Sequence, residues 1–127
     1  MVSIKSWNGA AAINKCIQAN HPEFRGDWKL RWKPVCSSTE IELSKWLSEK
    51  PFSEDSSRAI ISARQNHGKG QRGKSWVSKI GGIWLSASFP FNGVNKSVSL
   101  FGLAIALSVA ERFEKEQVDV QIKWPND

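Results

Sequence analysis

Helical periodicity marks three stretches of the chain. Leu43, Trp46 and Leu47 follow the i, i+3, i+4 spacing of an amphipathic helix, which we expect to end before Pro51. Residues 10–19 predict a short helix. Residues 97–116 predict a long helix in which charge gathers only at the end.

Strand periodicity marks four further stretches. In residues 30–34 apolar residues alternate with basic ones, and Pro34 indicates that this strand ends there or lies at a sheet edge. Residues 59–61 predict a buried strand, residues 81–90 a second strand with small hydroxyl residues on one face, and residues 118–124 a half-buried strand. Helices and strands mix without strict βαβ alternation. We therefore predict an α+β fold with a mixed, largely antiparallel sheet and flanking helices.

A run of hydroxyl residues, Ser37–Thr39, precedes the central helix. Thr39 and Glu42 have the spacing of a capping box, and N-capping would explain Thr39 completely. Alternatively, the hydroxyls and the exposed N–H groups of the helix start bind a small polar ligand. The residues alone leave both interpretations open.

Basic residues are concentrated in one part of the chain. The 127 residues carry a net charge of +6, yet no Asp or Glu occurs between Ser56 and Ala110. The same stretch contains Arg58, Arg64, Lys69, Arg72, Lys74, Lys79 and Lys96. A local positive field suits an anionic ligand, either nucleic acid or the phosphates of a nucleotide.

Other features of the composition exclude several classes of protein. No apolar run approaches the length of a membrane span, and the N-terminus lacks the apolar core of a signal peptide. Cys16 and Cys36 form no disulfide framework, and His21 and His67 are too far apart to suggest a zinc site. We expect a cytoplasmic protein without a membrane segment.

The loop Gly68–Trp76, GKGQRGKSW, combines three glycines with three cations. Glycine allows close backbone approach and exposes N–H groups, while the cations can pair with phosphates. The Walker A spacing is absent. The literal GxGxxG match leads into a strand rather than a helix, which argues against a dinucleotide fold. A flexible basic hairpin without a ligand is the alternative.

The sequence closes on Lys123-Trp124-Pro125-Asn126-Asp127, at the end of the last predicted strand. Strand ends are common places for site residues, and the Asp127 carboxylate could hold Mg²⁺. An ordinary turn after a strand is the alternative interpretation.

In this order, Ser38-Thr39-Glu40, Gln65, GKGQRGKSW, GGIWLS and KWPND resemble the biotin–protein ligases, also called biotin–[acetyl-CoA-carboxylase] ligases. The resemblance covers about residues 30 to 127. It implies a fold of the class II aminoacyl-tRNA synthetase and biotin ligase type. It also implies a two-step reaction: the carboxylate of biotin attacks the α-phosphate of ATP to give biotinyl-AMP, and a lysine of the biotin carboxyl carrier protein of acetyl-CoA carboxylase then takes the biotinyl group.

The resemblance also implies roles for individual residues. The biotin-binding positions are Ser38, Thr39, Glu40, Gln65, Gly68, Lys69, Gly70 and Gln71. The ATP-binding positions are Arg72, Lys74, Trp76, Asn126 and Asp127, with Asp127 also the candidate Mg²⁺ ligand. Lys69 and Lys123 are the candidate catalytic residues. Family members often pair through sheet edges, so the resemblance allows a homodimer, and it implies neither a nucleic acid nor a membrane as partner.

Three residues depart from the family pattern. Glu40 replaces an asparagine, Lys69 an arginine, and Gln71 an arginine that helps to hold the loop on the intermediate. We therefore expect biotinyl-AMP to escape from this loop more readily than from a Gln71→Arg variant. The family domain also continues well past KWPND. We expect residues 1–28 to be an N-terminal extension too short for a DNA-binding domain, and residues 29–127 to be part of the catalytic domain, incomplete at the C-terminus and with uncertain activity alone.

Three alternatives stay open. A lipoate–protein ligase would share the two-step chemistry but not both motifs. A basic nucleic-acid-binding module would use the cationic stretch and the aromatic residues. An inactive remnant of a ligase gene would keep the motifs without turnover.

Overall fold

The computed structural model describes residues 9–23, 28–50, 57–90 and 98–123. The helices are α1 (Gly9–Asn20), α2 (Thr39–Glu49) and α3 (Val98–Lys115). The strands are β1 (Trp28–Lys33), β2 (Ser57–Ser62), β3 (Gln65–Lys69), β4 (Ser75–Ser78) and β5 (Trp84–Ser88). The chain divides into two compact units, Met1–Pro90 and Phe91–Asp127. Each helix and each of the first three strands predicted from periodicity is confirmed.

The first unit contains two sheets. The larger has the strand order β1-β2-β5, with β1 parallel and β5 antiparallel to β2. The smaller is the antiparallel pair β3 and β4. The predicted α+β fold with a mixed sheet is confirmed, and β1 is an edge strand that ends just before Pro34, as that proline indicates. The consecutive elements β1, α2 and β2 nevertheless form a βαβ unit, which we did not predict because helices and strands do not alternate strictly along the chain.

Helix α2 packs against the larger sheet through the predicted apolar stripe. Leu43 and Trp46 are buried with Ile60 of β2, and Leu47 packs on this cluster. The Arg31 guanidinium lies 3.8 Å from the centre of the Trp46 ring, so a cation on the edge strand also covers the helix. This packing fixes the position of the α2 N-terminus relative to β2 and β5.

Arg58 explains how the opposite end of α2 is held. Its side chain is 3% exposed, and Nη1 donates hydrogen bonds to the carbonyl oxygens of Trp46 and Lys50. A cation is favourable at a helix C-terminus because the last carbonyls lack helical partners. Arg58 therefore serves the fold, although it belongs to the basic stretch that suggested an anionic ligand.

The second unit contains α3. The helix ends at Lys115, and the N–H of Val118 then bonds to the Phe113 carbonyl at 3.0 Å. The predicted strand over residues 118–124 is wrong for residues 118–123, which belong to neither sheet of the described part of the chain. Alternation indicates a strand only where another strand can take up its backbone N–H and C=O groups. Within the described residues, no helix is long and apolar enough to cross a membrane.

Candidate functional site

An extended segment, Cys36–Ser38, brings the start of α2 to the start of β3. The N–H of Asn66 donates to the Cys36 carbonyl and the N–H of His67 to the Ser37 carbonyl, each at 2.9 Å. Cys36 and Gln65 form an isolated parallel bridge. Thr39, the first residue of α2, consequently stands beside Gln65, which is 26 positions away in sequence.

Four polar side chains meet at this point, and we call Thr39, Gln65, Ser78 and Ser86 the anchor network. Gln65 Oε1 accepts from the Thr39 N–H at 2.7 Å and from the Thr39 hydroxyl at 3.0 Å. Gln65 Nε2 donates to Ser78 Oγ at 2.8 Å. Thr39 Oγ1 lies 2.8 Å from Ser86 Oγ, and since the Thr39 proton is given to Gln65, Ser86 is the donor. The network joins α2, β3, β4 and β5.

The predicted capping box is wrong. The N-cap residue is Ser38, whose side chain makes no capping hydrogen bond, and Thr39 is already helical. The Thr39 N–H donates to the side-chain oxygen Oε1 of Gln65 on β3, while Glu42 pairs with Lys33 of β1. That hydrogen bond from Lys33 holds the pKa of the Glu42 carboxyl below its ordinary value. Tertiary partners have replaced the local partners that a capping box would supply.

The glycine-rich motif is a β-hairpin rather than a free loop. Gly68 and Lys69 end β3, Ser75 and Trp76 begin β4, and only residues 70–74 form the tip. The Gly70 N–H donates to the Lys74 carbonyl at 2.7 Å and closes the turn. The tip needs left-handed backbone at two consecutive positions, Arg72 (φ 56°) and Gly73 (φ 75°). Of the two sequence interpretations, the structure confirms the hairpin shape, and ligand binding stays a prediction.

The register of the hairpin directs the Gln65 side chain. Gln65 is opposite Ser78 and Gly68 is opposite Trp76, so three steps on β3 match two on β4 and the strand bulges between them. Bulges re-aim neighbouring side chains. Because directly opposed residues share a sheet face, Gln65 and Ser78 are cross-strand neighbours.

Gly68 is needed for packing within the hairpin. A Cβ at this position would lie 2.6 Å from Ser78 Oγ and 2.7 Å from the Trp76 carbonyl oxygen. The sequence suggested that this glycine allows close approach to a ligand. The close approach that the structure contains is to the partner strand.

The cations of the motif line open surfaces beside this hairpin. A cavity of about 700 Å³ along the hairpin includes Lys69, Lys74 and Trp76, whose side chain is 59% exposed. A second cavity, of about 470 Å³, runs along α2 and is lined by both Glu40 and Lys69. The structure thus brings the predicted positions Lys69, Lys74 and Trp76 together and places Glu40 beside Lys69. Gln71 and Arg72 are exposed at the tip.

The basic stretch is not one charged surface. Arg58 is buried against α2, and the Arg64 guanidinium donates to Asn66 Oδ1 at 3.1 Å. Lys69, Arg72 and Lys74 lie on the hairpin and are exposed, and the exposed Arg64 and Lys79 line the cavity beside it together with Lys69 and Lys74. Lys96 lies outside the described residues.

Lys123 belongs to the second unit, where it is exposed. Asn126 and Asp127 lie outside the described residues. Among the residues that are described, no group of three or more His, Cys, Asp and Glu side chains is arranged to hold a metal ion. The role of Asp127 as a Mg²⁺ ligand stays a prediction.

Sequence reasoning missed Ser78 and the link between Ser86 and Thr39. The hydroxyl face of the strand at residues 81–90 was expected to leave room for another group, and the Thr39 side chain of α2 occupies part of it. Ser78 has no local signature. The signal that would have found it is the hairpin register, which requires knowing that the turn is centred on residues 70–74.

Comparisons with known proteins identify the family and the fold. Residues 33–127 match the model of the biotin/lipoate A/B protein ligase family. The chain is 31% identical over 96 residues to the bifunctional ligase/repressor BirA of Escherichia coli (strain K12), covering 74% of this chain and 29% of that protein. The chain thus spans less than a third of the length of this curated relative.

Solved structures give the same answer for the fold. The biotin protein ligase of Aquifex aeolicus, in complex with biotin and ATP, is 26% identical with a TM-score of 0.52, covering 82% of this chain and 41% of that one. The biotin protein ligase of Leishmania major, in complex with biotinyl-5-AMP, is 17% identical with a TM-score of 0.58, covering 69% of this chain and 35% of that one. Since the family model matches most of its length, the chain belongs to the biotin/lipoate A/B protein ligase family.

Proposed function

We propose that this chain carries the ligand-binding part of a biotin–protein ligase. In the first step, a carboxylate oxygen of biotin attacks the α-phosphorus of ATP, and pyrophosphate leaves to give biotinyl-AMP. In the second, the ε-amine of a lysine on a biotin carboxyl carrier protein attacks the mixed anhydride and AMP leaves. Support comes from the family match and from relatives whose structures hold biotin, ATP or biotinyl-5-AMP.

The anchor network is the observation that carries the proposal. The family resemblance assigns both Thr39 and Gln65 to biotin. The backbone nitrogen of Thr39 lies 2.7 Å from Gln65 Oε1, at the base of the cationic hairpin. A small polar ligand and an anionic group could therefore bind side by side. Bringing two anions together is the physical difficulty of the first step, and placing both reactants in one site removes much of its entropic cost.

The exposed cations supply the electrostatic part. Lys69, Arg72 and Lys74 surround the hairpin without any carboxylate in the motif itself. Fixed cations lower the barrier when they stabilise charge that builds up on the phosphorus and its oxygens. We assign Lys69 and Lys123 to that charge, Arg72 and Lys74 to the phosphates, and Trp76 to the adenine face.

Other parts of the proposal rest on the resemblance alone. Mg²⁺ would arrive with the ATP phosphates, since magnesium keeps several waters and binds readily to substrate phosphates. We place Asn126 and Asp127 at the nucleotide end of the site, the protein in the cytoplasm, and the acceptor lysine on the carrier protein of acetyl-CoA carboxylase. Pairing into a homodimer is part of the same proposal.

Adenylate formation tests the proposal directly. The chain is incubated with Mg-ATP labelled at the α-phosphate, with biotin or lipoate, and labelled acyl-AMP is separated from ATP and AMP. We expect a product that requires biotin. Lys69→Gln should reduce it by a factor on the order of ten or more, because a charge-assisted contact to an anion is lost.

Lys29→Gln is the matched control, since Lys29 is an exposed lysine on β1 outside the proposed site. If lipoate and not biotin gives the product, the lipoate ligase alternative replaces the proposal. Acyl-AMP formed only by a chain extended to the length of its relatives would mean that step one needs residues beyond these. The inactive remnant alternative predicts no product from either chain.

The nucleic-acid alternative has less structural support. Of the basic stretch, Arg58 is buried, and Arg64, Lys69, Lys74 and Lys79 line one cavity along the hairpin, so the exposed charge is concentrated there rather than spread along a face. Salt-sensitive binding to arbitrary DNA, together with no affinity for biotin, would favour that alternative.

A further inference from the structure

The hydrogen bonds of the Gln65 side chain leave one group unused. A primary amide has two lone pairs on oxygen and two N–H donors. Both lone pairs of Oε1 accept from Thr39, and one N–H of Nε2 is donated to Ser78. Among the described residues, the second N–H of Nε2 has no hydrogen-bond acceptor, so it is the group that Gln65 can offer to a ligand.

The orientation of the amide is fixed from both ends. The Thr39 N–H can only donate, so the carbonyl oxygen must face it. The nitrogen then faces Ser78, whose side chain is 4% exposed and lies directly across the hairpin. Ser78 Oγ accepts that hydrogen bond and is 3.4 Å from the Trp76 carbonyl oxygen, to which its own proton points. A rotated amide would place two N–H donors against the Thr39 N–H.

Gly68 shows that the hairpin is built closely around this contact. A Cβ there would be 2.6 Å from Ser78 Oγ and 3.2 Å from Gln65 Nε2. The backbone of β3 therefore lies against the bond between Gln65 and Ser78. This hydrogen bond is part-buried, so it competes less with solvent than an exposed one would.

We propose that Ser78 is a positioning residue that holds the Gln65 amide so that its remaining N–H points to an acceptor oxygen of the ligand. Ser78 itself does not touch the ligand. This inference rests on the proposed function, with biotin as the ligand. Biotin carries acceptor oxygens in its ureido carbonyl and its carboxylate, and a donor at Gln65 selects for one of them over a ring N–H.

Biotin binding to the chain, measured by isothermal titration calorimetry, tests the inference with three variants. Ser78→Ala should weaken binding roughly tenfold, the order expected when one hydrogen bond of the site is lost. Ser78→Cys replaces the hydroxyl by a somewhat larger thiol that offers only a weak acceptor, so it should behave like Ser78→Ala. Gln65→Glu keeps an oxygen for Thr39 but has no N–H, and should bind at least as weakly as Ser78→Ala.

Ser108→Ala is the matched control. Its hydroxyl also makes one hydrogen bond, to the Ala104 carbonyl at 2.9 Å, and it lies on α3 in the second unit. It should bind biotin within a factor of about two of the parent chain.

A second readout does not depend on biotin. The side-chain amide of Gln65 is identified in a ¹H–¹⁵N NMR spectrum by its loss in Gln65→Glu. Its two N–H resonances should be well separated in the parent chain, and they should move together towards free-amide positions in Ser78→Ala and Ser78→Cys.

The outcomes separate the two proposals. If the parent chain does not bind biotin, the proposed function and the inference that rests on it both fail. If the parent binds and Ser78→Ala binds equally well, only the inference fails. Recovery of affinity in Ser78→Cys would show that Ser78 acts through packing and would overturn the positioning role. Unchanged amide resonances in Ser78→Ala would overturn it as well, even if affinity falls.

Discussion

The base and the tip of the same hairpin are built in opposite ways. At the base, the anchor network joins residues 13 to 47 positions apart in sequence, and Thr39 and Ser78 are each 4% exposed. At the tip, residues 70–74, the backbone hydrogen bonds close within five residues and the side chains of Gln71, Arg72 and Lys74 are exposed. The base therefore holds the hairpin in position relative to α2 and β5, and the tip exposes positive charge to solvent.

This difference has a physical reason. A hydrogen bond between side chains on separate elements exists only when the whole unit is folded, so the base reports tertiary structure. A turn stabilised by its own backbone bonds and by left-handed residues can form locally. A tip of that kind can carry substitutions at positions such as Gln71 without disturbing the base.

The largest loss of stability is expected from Thr39→Val, which removes two hydrogen bonds at the base of the hairpin. The change removes the hydroxyl that donates to Gln65 and accepts from Ser86. Leaving the part-buried Ser86 hydroxyl without its acceptor should lower the free energy of unfolding by about 1–3 kcal/mol. Urea denaturation followed by tryptophan fluorescence measures the change.

Thr39→Ser is the matched control because it restores the hydroxyl on the same backbone. It should recover most of the lost stability. Equal stability of Thr39→Val and the parent chain would show that the network contributes nothing to folding.

A smaller, pH-dependent effect is expected from Glu42→Gln, which loosens the attachment of the first turn of α2 to β1. The pKa of Glu42 is lowered on folding by the hydrogen bond from Lys33. A lowered pKa in the folded state gives stability above the unfolded value of 4.5, and this stability is lost as the pH falls through the folded value. Because Lys33 is 40% exposed, solvent screening limits the contribution to about 1 kcal/mol or less at pH 7.

Urea titrations at pH 7 and pH 3 compare the two chains. The parent should be the more stable at pH 7, and the difference should shrink at pH 3. Arg112→Gln is the control, since it removes the exposed pair of Arg112 and Glu116 on α3. A difference for Glu42→Gln that is independent of pH would mean that its charge plays no part.

The smallest effect on stability is expected from Arg72→Gly at the tip. A non-glycine residue in left-handed backbone costs about 1 kcal/mol, which glycine relieves. Glycine also gains freedom in the unfolded chain, by a similar amount, so the two effects nearly cancel. The free energy of unfolding should stay within about 0.5 kcal/mol of the parent value, as measured by the same urea titration.

Gly73→Ala gives the contrast, because it adds a Cβ to backbone at φ 75° and should destabilise the turn. A loss of more than about 1 kcal/mol in Arg72→Gly would show that Arg72 has a tertiary partner. The conformation of the tip would then depend on contacts outside residues 70–74.

Local patterns predicted much of this protein. The stripe of Leu43, Trp46 and Leu47 identified α2 and its buried face, because helical spacing places those side chains on one side whatever the rest of the chain does. The helix at residues 97–116 followed from the same helical spacing, and the strand at residues 59–61 from three consecutive apolar residues. The resemblance of the motifs predicted the family, and the match to the family model confirms that prediction.

The predictions that failed were those in which a local pattern competed with distant partners. Thr39 and Glu42 have capping-box spacing, yet Gln65 and Lys33 are better placed to bond with them once the strands are assembled. Residues 118–123 alternate like a strand but belong to neither sheet of the described part of the chain.

Residue type and spacing along the chain were enough to predict where the helices and most strands lie, where positive charge is concentrated, and which family motif the chain carries. Three other features came only from the assembled fold: Gln65 caps α2, Ser78 faces Gln65, and Arg58 is buried while Lys69 is exposed. Each of these depends on which strands pair and in what register, and a hydrogen bond between elements forms only when folding brings its donor and acceptor within about 3 Å of each other.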